Sequence, residues 1–151
     1  MGSILLKIAE SLYISEQVVL EIGKFAILWN IFEKERCGTQ CNETKLLNLC
    51  SRYESDNKWH DLAHAFAHRA CLLGTDTDDY VRIKLSLGRG TQHKEKIINF
   101  INSAGESELS GGLIAIYRVR NNMFHGLKDY VDLENQIELF RCINNMLENL
   151  V

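Results

Sequence analysis

The chain has 151 residues, of which 46% are apolar and 25% are charged, and its net charge is −3. These values are typical of one globular domain spanning residues 1–151, and they exclude an intrinsically disordered chain and a protein with a strongly basic overall field. Proline is absent. Together with long stretches of helical spacing, this predicts an all-α fold: a compact antiparallel helical bundle with a short helix or two added.

Apolar residues recur at helical spacing along the chain. The first long helix is predicted from Ser15 to Arg36, and Cys37-Gly38 is its expected stop. This helix is apolar around so much of its circumference that it should be central, or should face both a core and a partner. The helices predicted after it cover 44–53, 57–73, a short stretch ending near 85, 94–103, 110–124 and 132–150.

The five cysteines show no evident disulfide spacing. Cys37 and Cys41 form a Cys-x3-Cys pair, but the second close pair that structural zinc usually needs is missing. No signal peptide is evident, and no apolar run reaches the roughly 18 residues needed to span a bilayer. The expectation is a cytoplasmic protein with reduced thiols and no membrane partner.

Three histidines follow one another at steps of four in "HDLAHAFAH": His60, His64 and His68. A pair at this spacing can bind zinc on one helix face, but Asp61 stands where the usual catalytic glutamate would follow the first histidine. The alternative is a polar helix border that turns toward solvent. We expect the border, and therefore no metal and no cofactor.

A basic cluster lies within residues 82–96, which carry five Lys or Arg residues against one acid. One interpretation is a solvated loop, and the other is a rim that contacts RNA phosphates beside Arg120. The Gly-rich "LGRGTQ" within it lacks the Gly-Lys-Ser/Thr ending of a P-loop. The candidate RNA-binding residues are Arg82, Lys84, Arg89, Lys94 and Lys96.

The segment "RNNMFHG", residues 120–126, ends a helix whose apolar stripe contains Leu109, Leu113 and Ile116. Arg120 takes the next position of that stripe, where a guanidinium needs a partner. Asn121 and His125 are four residues apart and can touch on one helix face. Gly126 suits a helix end that lets His125 turn back toward Arg120. The same residues also fit an ordinary helix end, with a cation near the C-terminus of the helix.

Arg120, Asn121 and His125 together resemble the motif of the HEPN superfamily: Arg, a favoured polar residue directly after it, and His after a four-residue spacer. The surrounding "AIYRVRNNMFHG" and the early "IGKFAILWNIFEKE" are similar to helices of these bundles. The resemblance implies a metal-independent endoribonuclease, often a toxin or defence effector, in which two subunits bring both motifs into one cleft. It also implies an RNA substrate, a homodimer and an antitoxin protein as partners.

The implied chemistry assigns His125 to proton transfer at the ribose 2′-hydroxyl or the leaving 5′-oxygen. Arg120 would stabilise the phosphate, Asn121 would orient His125, and the products would carry 2′,3′-cyclic phosphate ends. The alternative is a catalytically silent bundle that binds RNA or a nucleotide, or serves as an adaptor. One family branch carries a modified Tyr two residues after the His. Leu127 stands there and the next Tyr is Tyr130, which argues against that regulation.

Overall fold

A computed structural model describes residues 4, 7, 15–72, 95–97, 99, 109–124 and 137–151 of the chain. Its helices are α1 (Glu16–Phe32), a π-helical segment (Glu33–Cys37), α2 (Glu43–Arg52), α3 (Asn57–Leu72), α4 (Leu109–Phe124) and α5 (Ile137–Leu150). Residues 95–97 and 99 are also helical, and none of the described residues belongs to a β-strand. The all-α prediction is therefore confirmed.

Polar side chains cap the N-termini of the first three helices, as their residue types favour. Ser15 Oγ accepts a hydrogen bond from the Val18 amide at 3.2 Å, and Asn42 Oδ1 accepts one from the Lys45 amide at 2.8 Å. Asp56 Oδ1 accepts from the Trp59 amide at 3.2 Å. These caps explain why α2 and α3 begin within one residue of the predicted positions.

Apolar side chains from all five helices pack into one hydrophobic cluster. Phe25 and Phe32 of α1, Leu113 and Ile116 of α4, and Ile143 of α5 are almost fully removed from solvent. α1 and α4 also meet through Trp29 and Tyr117, whose rings stack with centroids 6.2 Å apart. The described helices thus form a compact all-α bundle around a single core. Among them, none is both long and apolar enough to cross a membrane.

The first and last described long helices, α1 and α5, run parallel to each other. Glu21 of α1 accepts hydrogen bonds from the buried Asn144 amide, through its backbone oxygen at 2.9 Å and its carboxylate at 2.8 Å. One turn further along both helices, Lys24 pairs with Glu148. Antiparallel packing is expected of helices joined by short loops, whereas these two are far apart in sequence and are free to run in the same direction.

Arg36 joins the π-helical segment to the C-terminus of α5. Its Nε and Nη2 donate to the Leu150 carbonyl at 2.9 and 2.6 Å, and its Nη1 donates to the Tyr53 hydroxyl at 3.0 Å. The guanidinium also lies 5.6 and 5.7 Å from the ring centroids of Tyr53 and Trp59. A cation at the C-terminus of a helix satisfies a carbonyl that has no intrahelical partner, so this contact stabilises the end of α5.

Cys37 and Cys41 form a disulfide, with their Cα atoms 5.5 Å apart. The expectation of reduced thiols throughout is therefore wrong for this pair. The bond is sterically accessible because Gly38 turns the chain with φ +77°, which confirms the predicted stop at Cys37-Gly38. The Glu33 carboxylate further fixes the turn by accepting from the Cys41 amide at 2.8 Å.

Candidate functional site

The helix that carries the candidate motif, α4, changes character along its length. Residues 109 and 111–116 are all buried, while Tyr117, Arg118, Arg120 and Asn121 are half-buried. A helix that is apolar around its circumference packs inside a bundle, whereas polar side chains keep contact with solvent. α4 therefore runs from the core to the surface, and its C-terminal part carries charged and polar groups at that surface.

Arg120 lies where the buried stripe of α4 reaches that surface. Leu109, Leu113 and Ile116 are buried, and Arg120, the next position of the stripe, is half-buried. Its Nη1 donates a hydrogen bond of 3.0 Å to Oδ1 of Asn121. This bond fixes the amide orientation of Asn121, because the guanidinium can only donate and so must face the carbonyl oxygen.

Two contacts one turn before Asn121 hold α4 in place. Tyr117 stacks on Trp29 of α1 with an interplanar angle of 11°. Arg118 forms an ion pair with Glu43 in the first turn of α2. Glu43 suits that position because a carboxylate interacts favourably with the positive end of a helix. The end of α4 is thus positioned by both α1 and α2.

The second half of the motif lies outside the described residues. α4 is helical through Phe124, and His125 and Gly126 follow beyond the part that the structure describes. The expected helix break at Gly126 and the return of His125 toward Arg120 therefore stay predictions. Leu127 and Tyr130 lie in the same undescribed stretch.

One of the five candidate RNA-binding residues can be placed. Lys96 is half-buried and lines a cleft of about 320 Å³, whereas Arg82, Lys84, Arg89 and Lys94 lie outside the described residues. Ser110 of α4 lines the same cleft. Ser110 and Arg120 are separated by roughly 15 Å along the helix axis, at 1.5 Å per residue. The cleft is therefore a separate feature from the Arg120 surface. The other residues that line it are Leu47, Cys50, Ser51, Glu54, His60 and Leu109.

Cys50 is the one thiol that lines this cleft among the residues described. Burial raises the pKa of the Cys50 thiol to about 12, and the nearby charge of Lys96 only partly opposes that effect. A thiol with so high a pKa is protonated near neutral pH, and the protonated form is a poor nucleophile. Cys50 is therefore a core residue and not a candidate for covalent catalysis.

The three histidines of α3 do not converge. His64 and His68 are exposed, with ring centroids 6.4 Å apart. His60 is half-buried, and its ring nitrogen is hydrogen-bonded to the backbone carbonyl of Glu54. Across the described ranges, no group of three or more His, Cys, Asp or Glu side chains is placed to hold a metal ion. The first histidine therefore has a structural partner that helical spacing alone does not indicate.

Comparison with protein-family models, curated proteins and solved structures found no match to this chain. The resemblance to the HEPN superfamily therefore depends on the residues of the motif and on the all-α architecture. Sequence reasoning missed Arg118 and Arg36 as organising residues. In each case the partner lies on another helix, and a partner distant in sequence leaves no signal in local spacing.

Proposed function

We propose that the C-terminal part of α4 forms half of an RNA-cleaving site, with Arg120, Asn121 and His125 as its working residues. The observation that supports this most directly is the half-buried Arg120 guanidinium, bonded to Asn121 at the end of an otherwise buried stripe. An arginine placed in this way has a fixed orientation and stays within reach of a phosphate at the surface. Neither a metal nor a cofactor is required.

The proposed reaction is attack of a ribose 2′-hydroxyl on the adjacent phosphorus. His125 takes the hydroxyl proton as the P–O2′ bond forms, the P–O5′ bond breaks, and the departing 5′-oxygen receives a proton. Arg120 stabilises the negative charge that develops on the phosphoryl oxygens. The products are a 2′,3′-cyclic phosphate and a 5′-hydroxyl, and no water is consumed.

Asn121 is proposed to set the tautomer of His125. Its Oδ1 accepts from Arg120, so its amide N–H groups are the part that can turn toward the histidine four residues later. An amide donor pairs with the unprotonated imidazole nitrogen, which fixes the proton on the other ring nitrogen. The bond between Arg120 and Asn121 therefore couples the phosphate-binding group to the proton-transferring group.

A second copy of the chain is proposed to supply the second Arg–His pair, as the family resemblance implies. Two histidines would then divide the roles of base and acid. We propose the cytoplasm as the working compartment, with an antitoxin protein as a further partner. A disulfide such as Cys37–Cys41 is uncommon in a reducing compartment, so the stability of the chain with this pair reduced bears directly on that proposal.

The test is incubation of the pure protein with transfer RNA and messenger RNA, with and without excess chelator, followed by analysis of the new ends. We expect cyclic-phosphate ends in both conditions. Arg120→Ala and His125→Ala should each abolish cleavage while helicity is retained. Arg141→Ala, which removes a partly exposed arginine from α5, is the matched control and should cleave like wild type.

Cleavage that survives in both active-site variants would overturn the site assignment, and cleavage that is lost in chelator would overturn the metal-independent chemistry. Salt-sensitive RNA binding without new ends would instead support the silent binding module.

A further inference from the structure

The helix α1 exposes an apolar stripe on the face opposite its buried one. Leu20, Ile27 and Ile31 are 50%, 64% and 38% exposed. At about 100° per residue, these three positions fall within a narrow strip of the helix surface. The buried side chains, Val18, Phe25, Trp29 and Phe32, fall on the other side. A helix that is apolar on two opposite faces is typical of one that contacts a core and a partner.

The surroundings of this stripe favour close approach of another helix. Gly23 is exposed on the same face, and nothing lies within 4 Å of the position that a Cβ atom would take there. Its missing side chain leaves a gap in the surface beside Ile27. Glu16 and Lys34, both exposed, stand at the two ends of the stripe and carry opposite charges.

We propose that a second copy of this chain covers the stripe, through antiparallel pairing of the two α1 helices about a two-fold axis level with Phe25. Gly23 lies two residues before Phe25 and Ile27 two residues after it. In this register each Ile27 therefore stands opposite the gap at Gly23 of the other copy. Leu20 lies five residues before Phe25 and Ile31 lies six residues after it. Leu20 of one copy therefore comes level with Ile31 of the other to within one residue's rise, about 1.5 Å.

The charges at the ends of the stripe select this arrangement. Glu16 lies nine residues before Phe25 and Lys34 nine residues after it. Antiparallel pairing thus places Glu16 of each copy opposite Lys34 of the other, twice per dimer. A parallel pair would place Glu16 against Glu16 and Lys34 against Lys34, which is repulsive. A surface that complements itself in one orientation fits a second copy, because a two-fold contact uses the same patch twice.

This contact is distinct from the cleft in the proposed function. Trp29 lies on the buried side of α1 and stacks on Tyr117 of α4. The Arg120 surface therefore lies across α1 from the stripe, and pairing through the stripe does not depend on RNA cleavage. One helix face buries an area at the low end for protein interfaces, so the pair should dissociate on dilution.

The test is the mass of the full chain by sedimentation equilibrium over a range of concentrations. Wild type should show association that reverses on dilution. Ile27→Glu should halve the mass at concentrations where wild type is associated, because a carboxylate cannot be buried against the other helix. The control is Lys58→Glu, which also places a glutamate at an exposed helix position, on α3 and away from the stripe. It should keep the wild-type mass.

Charge reversal tests the register. Glu16→Lys and Lys34→Glu should each weaken association about tenfold, since each replaces two attractions by two repulsions. The double variant should regain wild-type association, with opposite charges again facing each other. A wild-type chain that stays monomeric, an Ile27→Glu variant of unchanged mass, or a double variant no tighter than the single ones would each overturn the proposal. The two variant outcomes concern only the α1 stripe and leave the proposed ribonuclease untouched, whereas a wild-type monomer would also contradict the second copy that the proposed function requires.

Discussion

Two arginines lie near the ends of helical segments. The hydrogen bonds described for them join residues at very different separations along the sequence. Arg36 donates to Leu150, 114 residues away, and to Tyr53, 17 residues away. The Arg120 guanidinium donates to Asn121, the next residue in the chain. The first arginine joins parts of the chain that are otherwise distant, whereas the Arg120 bond organises a surface within one turn of a helix. We propose that Arg36 serves stability, and the proposed function assigns Arg120 to chemistry.

The largest expected effect on stability is at Arg36. Arg36→Leu should lower the free energy of unfolding by about 2–4 kcal/mol, because it removes charge-assisted bonds to the Leu150 carbonyl and the Tyr53 hydroxyl. Arg36→Lys should recover only part of the loss, since a lysine cannot present the same planar set of donors. Urea unfolding followed by circular dichroism measures both. Arg52→Leu, at an exposed position in the last turn of α2, is the control. An Arg36→Leu variant as stable as this control would show that the contact contributes nothing.

The contrast between the two arginines also marks what the sequence can predict. Helical spacing predicted the existence of all five labelled helices, with α2 and α3 displaced by at most one residue at each end. They predicted one continuous helix to Arg36, whereas the chain changes to a π-helical segment at Glu33. The π-helical segment contributes no buried residue, so apolar spacing carries no signal there.

Pairings between particular side chains, two of them long-range and one local, account for the rest of what was missed. The Arg36–Leu150 contact, the Arg118–Glu43 ion pair and the Cys37–Cys41 bond all depend on where the chain brings atoms together. At the candidate site, the half-buried state of Arg120 matches its position on the stripe. The position of Arg120 on the stripe predicts the direction in which its side chain leaves the helix. It does not predict the hydrogen bond from that side chain to Asn121.

A smaller effect is expected at the disulfide next to Arg36. Reduction of Cys37–Cys41, or the double variant Cys37→Ser with Cys41→Ser, should lower the free energy of unfolding by about 2 kcal/mol, the loop-closure value for so short a loop. Unfolding with and without dithiothreitol measures it. The double variant should respond much less to the reductant than wild type, since it lacks the Cys37–Cys41 bond. A combined loss with Arg36→Leu that is smaller than the sum of the two would show that the disulfide acts by holding Arg36 in position.

The smallest effect on stability is expected at Arg120. Arg120→Ala should change the free energy of unfolding by less than about 1 kcal/mol, because the side chain is half-buried and lies at the surface end of the buried stripe. The same urea titration measures it, and the comparison with Arg36→Leu is direct because both variants remove one arginine. A loss as large as that of Arg36→Leu would make Arg120 a stabilising residue, and any loss of RNA cleavage in the variant would then follow from unfolding. A small loss of stability together with abolished cleavage would separate the two arginines by role, since only a group that acts on substrate changes the rate without changing the fold.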